Sequence, residues 1–427
     1  MVDKDQNVAW VISSASKLTQ LALPTPTPGP DQALIRITAV SLNFRDSLIL
    51  QHSPAYPRRA AVNLIPCSDG AGTLVAAGAS SKWRDRIGAS VVVNVNTWID
   101  GDVGDGFDLD ATLGGAETNG TLVRYMVMDD ERILEAPKGL TDAEAATMCC
   151  AGLTAFNALF EGPGGVGKPA KGVTVLTQGT GGVSCFAIQL ASAAGATVIA
   201  TSSTDEKLEV AKKLGATHVI NYRKTPKWAD EVLRITGGRG VDHVVDVGGA
   251  GTIEESLRSA RTGGLVSVLG ILTEPKQQAD LIPAILFGAK TIRGVLGAGS
   301  KVMNERFVRF VEEHQVRPAV AVQFEFEQAA EAFARLEKQS EIGKIVIRVD
   351  YCEKRQERSG RQAQIGARRH RNQRKPRPGC RKAGSWELGA GMTSAAVQRS
   401  FLQRYAPHCL LPVTAHHPSV LSVLSVR

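Results

Sequence analysis

The sequence predicts an α/β protein built from a β-rich part, a doubly wound parallel sheet and a basic tail. Three observations carry that expectation. From Gly172 onward, short apolar strands alternate with amphipathic helices at close intervals, the pattern of a parallel sheet covered on both faces. Before it, residues 8–100 break into short β-rich segments. After Asp350 the character changes abruptly: Glu353–Lys382 is rich in Arg, Gln and Gly and nearly empty of large apolar residues. That stretch cannot bury enough surface to fold alone and is expected to be disordered.

In the β-rich part, a Pro-rich loop (Pro24–Pro30) leads into Ala33–Val40, which alternates and is β-branched. Gly70–Ala77, Ala89–Val95 and Thr121–Met128 read as further strands, and Asp100–Asn119 as a loop. Thr141, with Glu144 three residues on, has the form of a capping box opening a helix that runs to Phe160. In the alternating part the expected strands are Val173–Gln178, Thr197–Thr201, His218–Asn221, Val241–Val247 and Leu265–Leu269. The helices between them are Val183–Ala194, Thr204–Leu214, Pro226–Thr236 and Thr252–Arg261, the last closed by Gly263-Gly264. Helices over Asn304–His314 and Glu327–Gln339 follow, then a terminal strand, Ile342–Val349.

The net charge of +8 over 427 residues conceals an asymmetry. Tyr351–Arg427 holds 15 Lys and Arg against 3 acids, a net of +12, whereas Met1–Asp350 holds 35 against 39, a net of −4. A nucleic-acid reading therefore concerns the tail alone, where residues 368–377 (RRHRNQRKPR) suit nuclear import or a nonspecific RNA contact. No aromatics interleave there, and a dispensable extension is the favoured reading. The seven cysteines are scattered, odd in number and lack any C-x-x-C pair, which fits a reducing, cytoplasmic setting rather than a disulfide framework. Neither a secretory signal nor an apolar run long enough for a membrane span is found.

The strand ending at Gln178 runs straight into Gly179-Thr180-Gly181-Gly182-Val183-Ser184 and then a helix. Such a turn presents free backbone N–H groups to a pyrophosphate, which makes this a Rossmann dinucleotide site. Gly179 is expected to form the tight turn and Gly181 to let the backbone approach the phosphates. Ser184 replaces the third glycine as a small residue. The second strand ends in Thr201-Ser202-Ser203, with Lys207 in the next helix, where an NAD site would place a carboxylate. Hydroxyls and a cation suit a 2′-phosphate, so NADP(H) is expected.

With these residues in view the sequence resembles the medium-chain dehydrogenase/reductase superfamily. The similarity is to its zinc-independent quinone oxidoreductase-like and zinc-type alcohol dehydrogenase-like branch, over residues 8–349. It is carried by Leu42-Asn43-Phe44-Arg45-Asp46, Ser68-Asp69-Gly70-Ala71-Gly72, Ala151-Gly152-Leu153-Thr154-Ala155, the Gly179–Ser184 turn, Lys213-Leu214-Gly215-Ala216, Asn221-Tyr222 and Gly343-Lys344. The resemblance implies a GroES-like substrate domain over residues 1–155, completed by about 295–349. It further implies a Rossmann domain over 156–294, with 350–427 left as tail. It places Thr154, Gly181, Gly182, Val183, Ser202, Lys207 and Tyr222 at NADP(H), and Val268, Leu269 and Gly270 near the nicotinamide. It also implies a homodimer joined through an edge strand, for which Thr291–Leu296 is the candidate.

Zinc-dependent members use Cys, His and Cys as catalytic ligands. The matching positions here are Asn43, Ser68 and Cys150, and one thiol cannot hold the metal, so no metal is expected. Asn43 and Tyr56 are the polar groups expected to face the nicotinamide and serve catalysis. The leading expectation is NADPH-dependent hydride transfer to a conjugated carbonyl (quinone, enone or enoyl). An alcohol dehydrogenase or a trans-acting enoyl reductase of a fungal-type pathway is the alternative. An NADPH-sensing or RNA-associated binding protein is the alternative of another class.

Overall fold

The computed structural model describes residues 6–14, 16–273 and 281–349. The tail, with its expected disorder and basic cluster, lies outside the described residues. The chain opens on an antiparallel pair, β1 (Asn7–Ile12) and β2 (Leu18–Leu23). Next comes β3 (Gln32–Ser41), ten residues long and buried on both faces over much of its length. Helix α1 (Phe44–Leu50) follows it directly. Strands β4 (Asp69–Ala77), β5 (Ser90–Val93), β6 (Tyr125–Asp129) and β7 (Ile133–Glu135) complete the first run, β4 and β6 both pairing antiparallel with β3. The expected loop over 100–119 contains one helical turn, α2 (Val103–Gly106), whose Asp102 cap accepts from the Gly104 N–H at 2.8 Å.

The predicted helix over 141–160 is present in pieces. The capping box forms: Thr141 N–H donates to Glu144 at 2.8 Å, opening α3 (Asp142–Ala145). The chain then widens into one π-turn, Met148–Gly152, before α4 (Leu153–Phe160). Gly152, which ends the π-turn, packs directly against Phe307, whose ring would lie 2.6 Å from a Cβ there. Single π-turns inside helices recur at functional sites, and this one carries Cys150.

The second lobe is the doubly wound sheet. Its strands are β8 (Thr174–Gln178), β9 (Thr197–Ser202), β10 (His218–Asn221), β11 (Val241–Asp246), β12 (Ala260–Val268) and β13 (Thr291–Gly294). They lie parallel in the order β10-β9-β8-β11-β12-β13, so the order reverses beside β8, where such sheets bind ligands. Helices α5 (Gly182–Ala193), α6 (Asp205–Lys213), α7 (Trp228–Ile235), α8 (Ile253–Ser259) and α9 (Ile282–Phe287) make the crossovers. One expectation fails here: Gly263-Gly264 do not end a helix. Helix α8 stops at Ser259, and the glycines lie inside β12, where the register against β11 jumps from Val241↔Ala260 to His243↔Leu265. Gly263, at φ +68°, absorbs that bulge.

After α10 (Lys301–His314), strands β14 (Val320–Glu325) and β15 (Lys344–Arg348), with α11 (Ala329–Glu337) between them, return to the first lobe. Strand β15 pairs antiparallel with β3 and thereby sets Lys344 beside Leu42 and Asn43. Ile35, Ile37, Leu74, Val93 and Ile347 are fully buried in that lobe, and Phe186 and Phe307 in the second. Each such side chain stabilises the fold by roughly 1.5–3 kcal/mol. Among the described residues no helix is long and apolar enough to cross a membrane.

Candidate active site

The turn after β8 is built from backbone. Gly179 sits at φ +74°, a conformation that suits glycine, and its N–H bonds the Thr201 carbonyl at 2.7 Å. Gly181 caps α5, and a Cβ there would meet no atom within 4 Å, so the space above the helix N-terminus is open. Ser184, at the third-glycine position, uses its hydroxyl to bond the Gln178 carbonyl at 2.6 Å and pins the helix to its strand. Val183 follows Gly182 in the first turn of α5, partly buried against the core. Free N–H groups at a helix N-terminus, with open space above them, fit a pyrophosphate.

At the end of β9, Ser202 is buried and shares a hydrogen bond of 3.2 Å with the Thr180 hydroxyl, while Ser203 is half-buried. The N–H of Tyr222 bonds the Ser202 carbonyl at 3.1 Å, which brings the start of that loop to β9. Thr204 caps α6, and Asp205 is committed elsewhere: Asn221 donates to one of its oxygens at 2.7 Å and Lys224 to the other at 2.5 Å. The Lys207 ammonium has no partner among the described residues. Leu269 N–H bonds the Asp246 carbonyl at 2.8 Å, just past Val268, and a Cβ on Gly270 would clash with the Val247 carbonyl. Thr154, in α4, is half-buried.

Across from the turn lies a cluster that the sequence reading did not assemble. Lys344, 4% exposed, donates to the Leu42 carbonyl at 2.6 Å and to Asn43 Oδ1 at 2.5 Å, and stands 3.6 Å from Asp69 Oδ2. Asn43 Nδ2 in turn donates to Asp69 at 3.0 Å, and the Asn43 backbone N–H to Asp46 at 2.8 Å. The same strand start is locked to the turn, since Gly343 N–H bonds the Thr180 carbonyl at 3.0 Å. A Cβ on Gly182 would strike the Lys344 stem. Burial pushes Asp69 up to about 6, against the pull of Lys344 and Asn43.

Tyr56 belongs to a separate pair. Arg45 Nη2 donates to its hydroxyl at 3.0 Å, and the guanidinium stands 5.5 Å from the ring centre. Of the two expected catalytic residues, then, Asn43 joins the Lys344 cluster and Tyr56 joins Arg45. Lys344, Asp69 and Arg45 had no assigned role in the sequence, although each falls inside a motif that carried the resemblance.

The residues at the metal-ligand positions do not fit zinc. Asn43 is engaged on both amide atoms, and Ser68 is a buried hydroxyl with no hydrogen bond among the described residues. Cys150, whose thiol burial pushes up to about 12, is the one sulfur at the three positions. Among the described residues no three His, Cys, Asp or Glu side chains are grouped to hold a metal ion.

Two family models match the chain: an alcohol dehydrogenase GroES-like domain over residues 29–138 and a zinc-binding dehydrogenase over residues 182–313. A zinc-type alcohol dehydrogenase-like protein of Schizosaccharomyces pombe is 40% identical over 325 residues, covering 75% of this chain and 92% of its own. A chloroplast envelope quinone oxidoreductase homolog of Arabidopsis thaliana is 29% identical, covering 78% and 94%. A solved structure from Sinorhizobium meliloti 1021, provisionally described as an alcohol dehydrogenase, is 34% identical with a TM-score of 0.73, covering 82% of this chain and 100% of its own. This chain belongs to the medium-chain dehydrogenase/reductase superfamily and is an oxidoreductase of the nicotinamide-dependent kind.

Proposed function

We propose that this protein reduces a conjugated carbonyl (a quinone, an enone or an enoyl thioester) with NADPH and without zinc. The observation that carries the reading is Lys344. Its ammonium is bonded to Asn43 and faces Asp69, among the very residues that would have to bind a divalent cation. A fixed positive charge there opposes a second cation and neutralises the neighbouring carboxylate instead. Without a Lewis acid the substrate must supply its own activation, as a carbonyl conjugated to the accepting carbon does.

Bound NADPH would supply the hydride. The backbone of Gly179, Gly181, Gly182, Val183 and Ser184 would hold its pyrophosphate. Ser202, Ser203, Lys207 and Tyr222 would hold the 2′-phosphate, a reading supported by the commitment of both Asp205 oxygens to Asn221 and Lys224. Thr154, Val268, Leu269 and Gly270 would bound the nicotinamide. Asn43 keeps a second amide hydrogen, and Tyr56 a hydroxyl, to face the acceptor oxygen. The reading also includes a homodimer: β13 is a sheet edge, and beside it Ile282, Leu286, Phe287 and Leu296 are exposed.

An activity panel on the full chain tests this, with quinones, enoyl thioesters and simple alcohols against NADPH and NADH, before and after chelation. Turnover of a conjugated carbonyl with NADPH, unchanged by chelator, is expected. Ser202→Ala/Lys207→Ala is expected to lose about tenfold in NADPH preference. Turnover of alcohols alone, lost on chelation, would overturn the proposal in favour of the alcohol dehydrogenase that the S. pombe relative's name suggests. Sedimentation at the monomer mass would remove the dimer.

A further inference from the structure

The parallel sheet reverses its order between β8 and β11, and side chains join the two strand ends that flank the reversal. Gln178 closes β8 and Asp246 closes β11, and both are buried. Gln178 Nε2 donates to Asp246 Oδ2 at 3.2 Å and to the Ser256 hydroxyl at 2.6 Å. Ser256 passes its own hydrogen to the same carboxylate oxygen at 2.5 Å. The Thr252 hydroxyl reaches both carboxylate oxygens, at 2.8 and 3.0 Å, and the Gly249 N–H reaches Oδ1 at 2.8 Å. Each of these donors is neutral, so aimed dipoles hold the buried carboxylate.

Asp246 anchors two turns at once. Its side chain holds the turn after β11 through Gly249, and its backbone carbonyl accepts from Leu269 N–H, past β12, at 2.8 Å. The two turns are then locked together. The N–H and hydroxyl of Thr273 both donate to the Gly248 carbonyl, at 3.0 and 2.8 Å, and Gly251 N–H donates to the Thr273 hydroxyl at 3.0 Å. Gly249, at φ +78°, lies so close to Gly270 that a Cβ on it would stand 2.6 Å from the Gly270 carbonyl oxygen. On the opposite side, the Ser184 hydroxyl bonds the Gln178 carbonyl at 2.6 Å. One continuous set of hydrogen bonds therefore runs from the phosphate turn to residues 269–273, with Asp246 at its middle.

We propose that Asp246 is the positioning residue for the nicotinamide half of the cofactor. It fixes the turn over residues 247–251, and through it Leu269 and Gly270, relative to the phosphate turn that the dinucleotide must reach from. This role rests on the NADPH reading above. A dinucleotide held by its pyrophosphate at Gly179–Ser184 keeps rotational freedom beyond the phosphates, and a wall rich in glycine has little stiffness of its own. Hydride transfer is sensitive to that freedom, since a misplacement of about 1 Å costs on the order of a hundredfold in rate. Asp246 supplies the stiffness from beneath. Asparagine cannot replace it, because its NH2 group would face the Gly249 N–H in one orientation and the Gln178 amide in the other.

The test is calorimetric titration of the full chain with two ligands, NADPH and adenosine 2′,5′-bisphosphate, which has the 2′-phosphate end and no nicotinamide. Asp246→Asn is expected to weaken NADPH about tenfold and to leave the bisphosphate within about twofold of wild type. A merely structural role moves both affinities together or neither. If Asp246→Asn does not accumulate as folded protein, Thr252→Val removes the hydroxyl shared by both oxygens and keeps the other donors. It is expected to weaken NADPH about threefold with the bisphosphate again unchanged. Amide exchange at Gly249 should quicken in either variant, while that at Gly179 in the phosphate turn should not. Equal loss for the two ligands, undiminished NADPH affinity in the variants, or unchanged exchange at Gly249 would overturn the assignment while leaving the cofactor reading in place. A wild-type chain that binds neither ligand would remove the cofactor reading and this role with it.

Discussion

Two regions of this molecule handle charge, and they are made in different ways. At the turn after β8, the groups offered to a ligand are backbone N–H groups of one short stretch, Gly179–Ser184, with nothing near Gly181 to crowd an incoming phosphate. At the Lys344 cluster, the groups are side chains from separate segments, and Lys344 reaches residues 301 and 302 positions away. The first region presents dipoles and needs no counter-charge in the protein. The second carries a buried cation and a buried carboxylate, each compensating the other. Removing a member should therefore cost little stability at the turn and much at the cluster.

The largest effect is expected from Lys344→Met. It leaves Asp69 buried with only the Asn43 amide as partner, a loss of about 3–5 kcal/mol in urea unfolding. Lys344→Met/Asp69→Asn removes both charges and should recover most of that loss. If the single substitution costs less than about 1 kcal/mol, the cluster does not behave as a compensated pair and the contrast with the turn collapses.

That contrast also explains what the sequence disclosed. The strand, glycines and helix of the phosphate turn are contiguous, so their chemistry is legible from spacing, and Ser184 could be placed as a tolerated third position. The expectation of NADP(H) at Ser202 and Lys207 rests in the same way on a short window that holds no acid where an NAD site would place one. Lys344 was visible as part of a Gly-Lys pair, but nothing local says that β15 pairs with β3 and delivers the ammonium to Asn43. Tyr56 could be suspected from its type, whereas its hydrogen bond with Arg45 depends on the turn that follows α1. Two element errors have the same origin. Gly152, at the end of the Met148–Gly152 π-turn, packs against Phe307, and the Gly263-Gly264 bulge follows the register of β11; neither contact is visible from local sequence.

A second substitution strikes the comparison from the other side. Gly181→Val adds a side chain whose Cβ meets no atom of the described residues within 4 Å beyond its own chain neighbours, so the fold should keep its melting temperature. The same side chain fills the space in front of the α5 N-terminus, and NADPH affinity should fall about a hundredfold, close to 2.7 kcal/mol. Calorimetric titration with NADPH alongside a melting curve separates the two effects. A destabilised protein with undiminished affinity would mean that the turn is a packing device and that the cofactor lies elsewhere.

The smallest effect is a pH signature confined to the cluster. Asp69 is pushed up to about 6 from an ordinary value of 3.8, so between those limits the folded chain holds a proton that the unfolded chain has released. Stability from this group is thus fully present below about 4 and is lost as pH rises through about 6, by at most about 3 kcal/mol. Asp69→Asn has no such loss and should gain on wild type across that window, then run parallel to it at higher pH. Asp242, which is not part of the cluster, is held at about 2 by Arg239, Thr174 and Arg261 against the opposing effect of its own burial. Its contribution runs the other way and is lost only as pH falls toward 2, so the two carboxylates do not overlap. A difference curve between Asp69→Asn and wild type that is flat from pH 4 to 6 would mean that Lys344 holds Asp69 ionised throughout. The cluster would then be a permanent ion pair, and its opposition to a metal cation would hold at every pH at which the protein is folded.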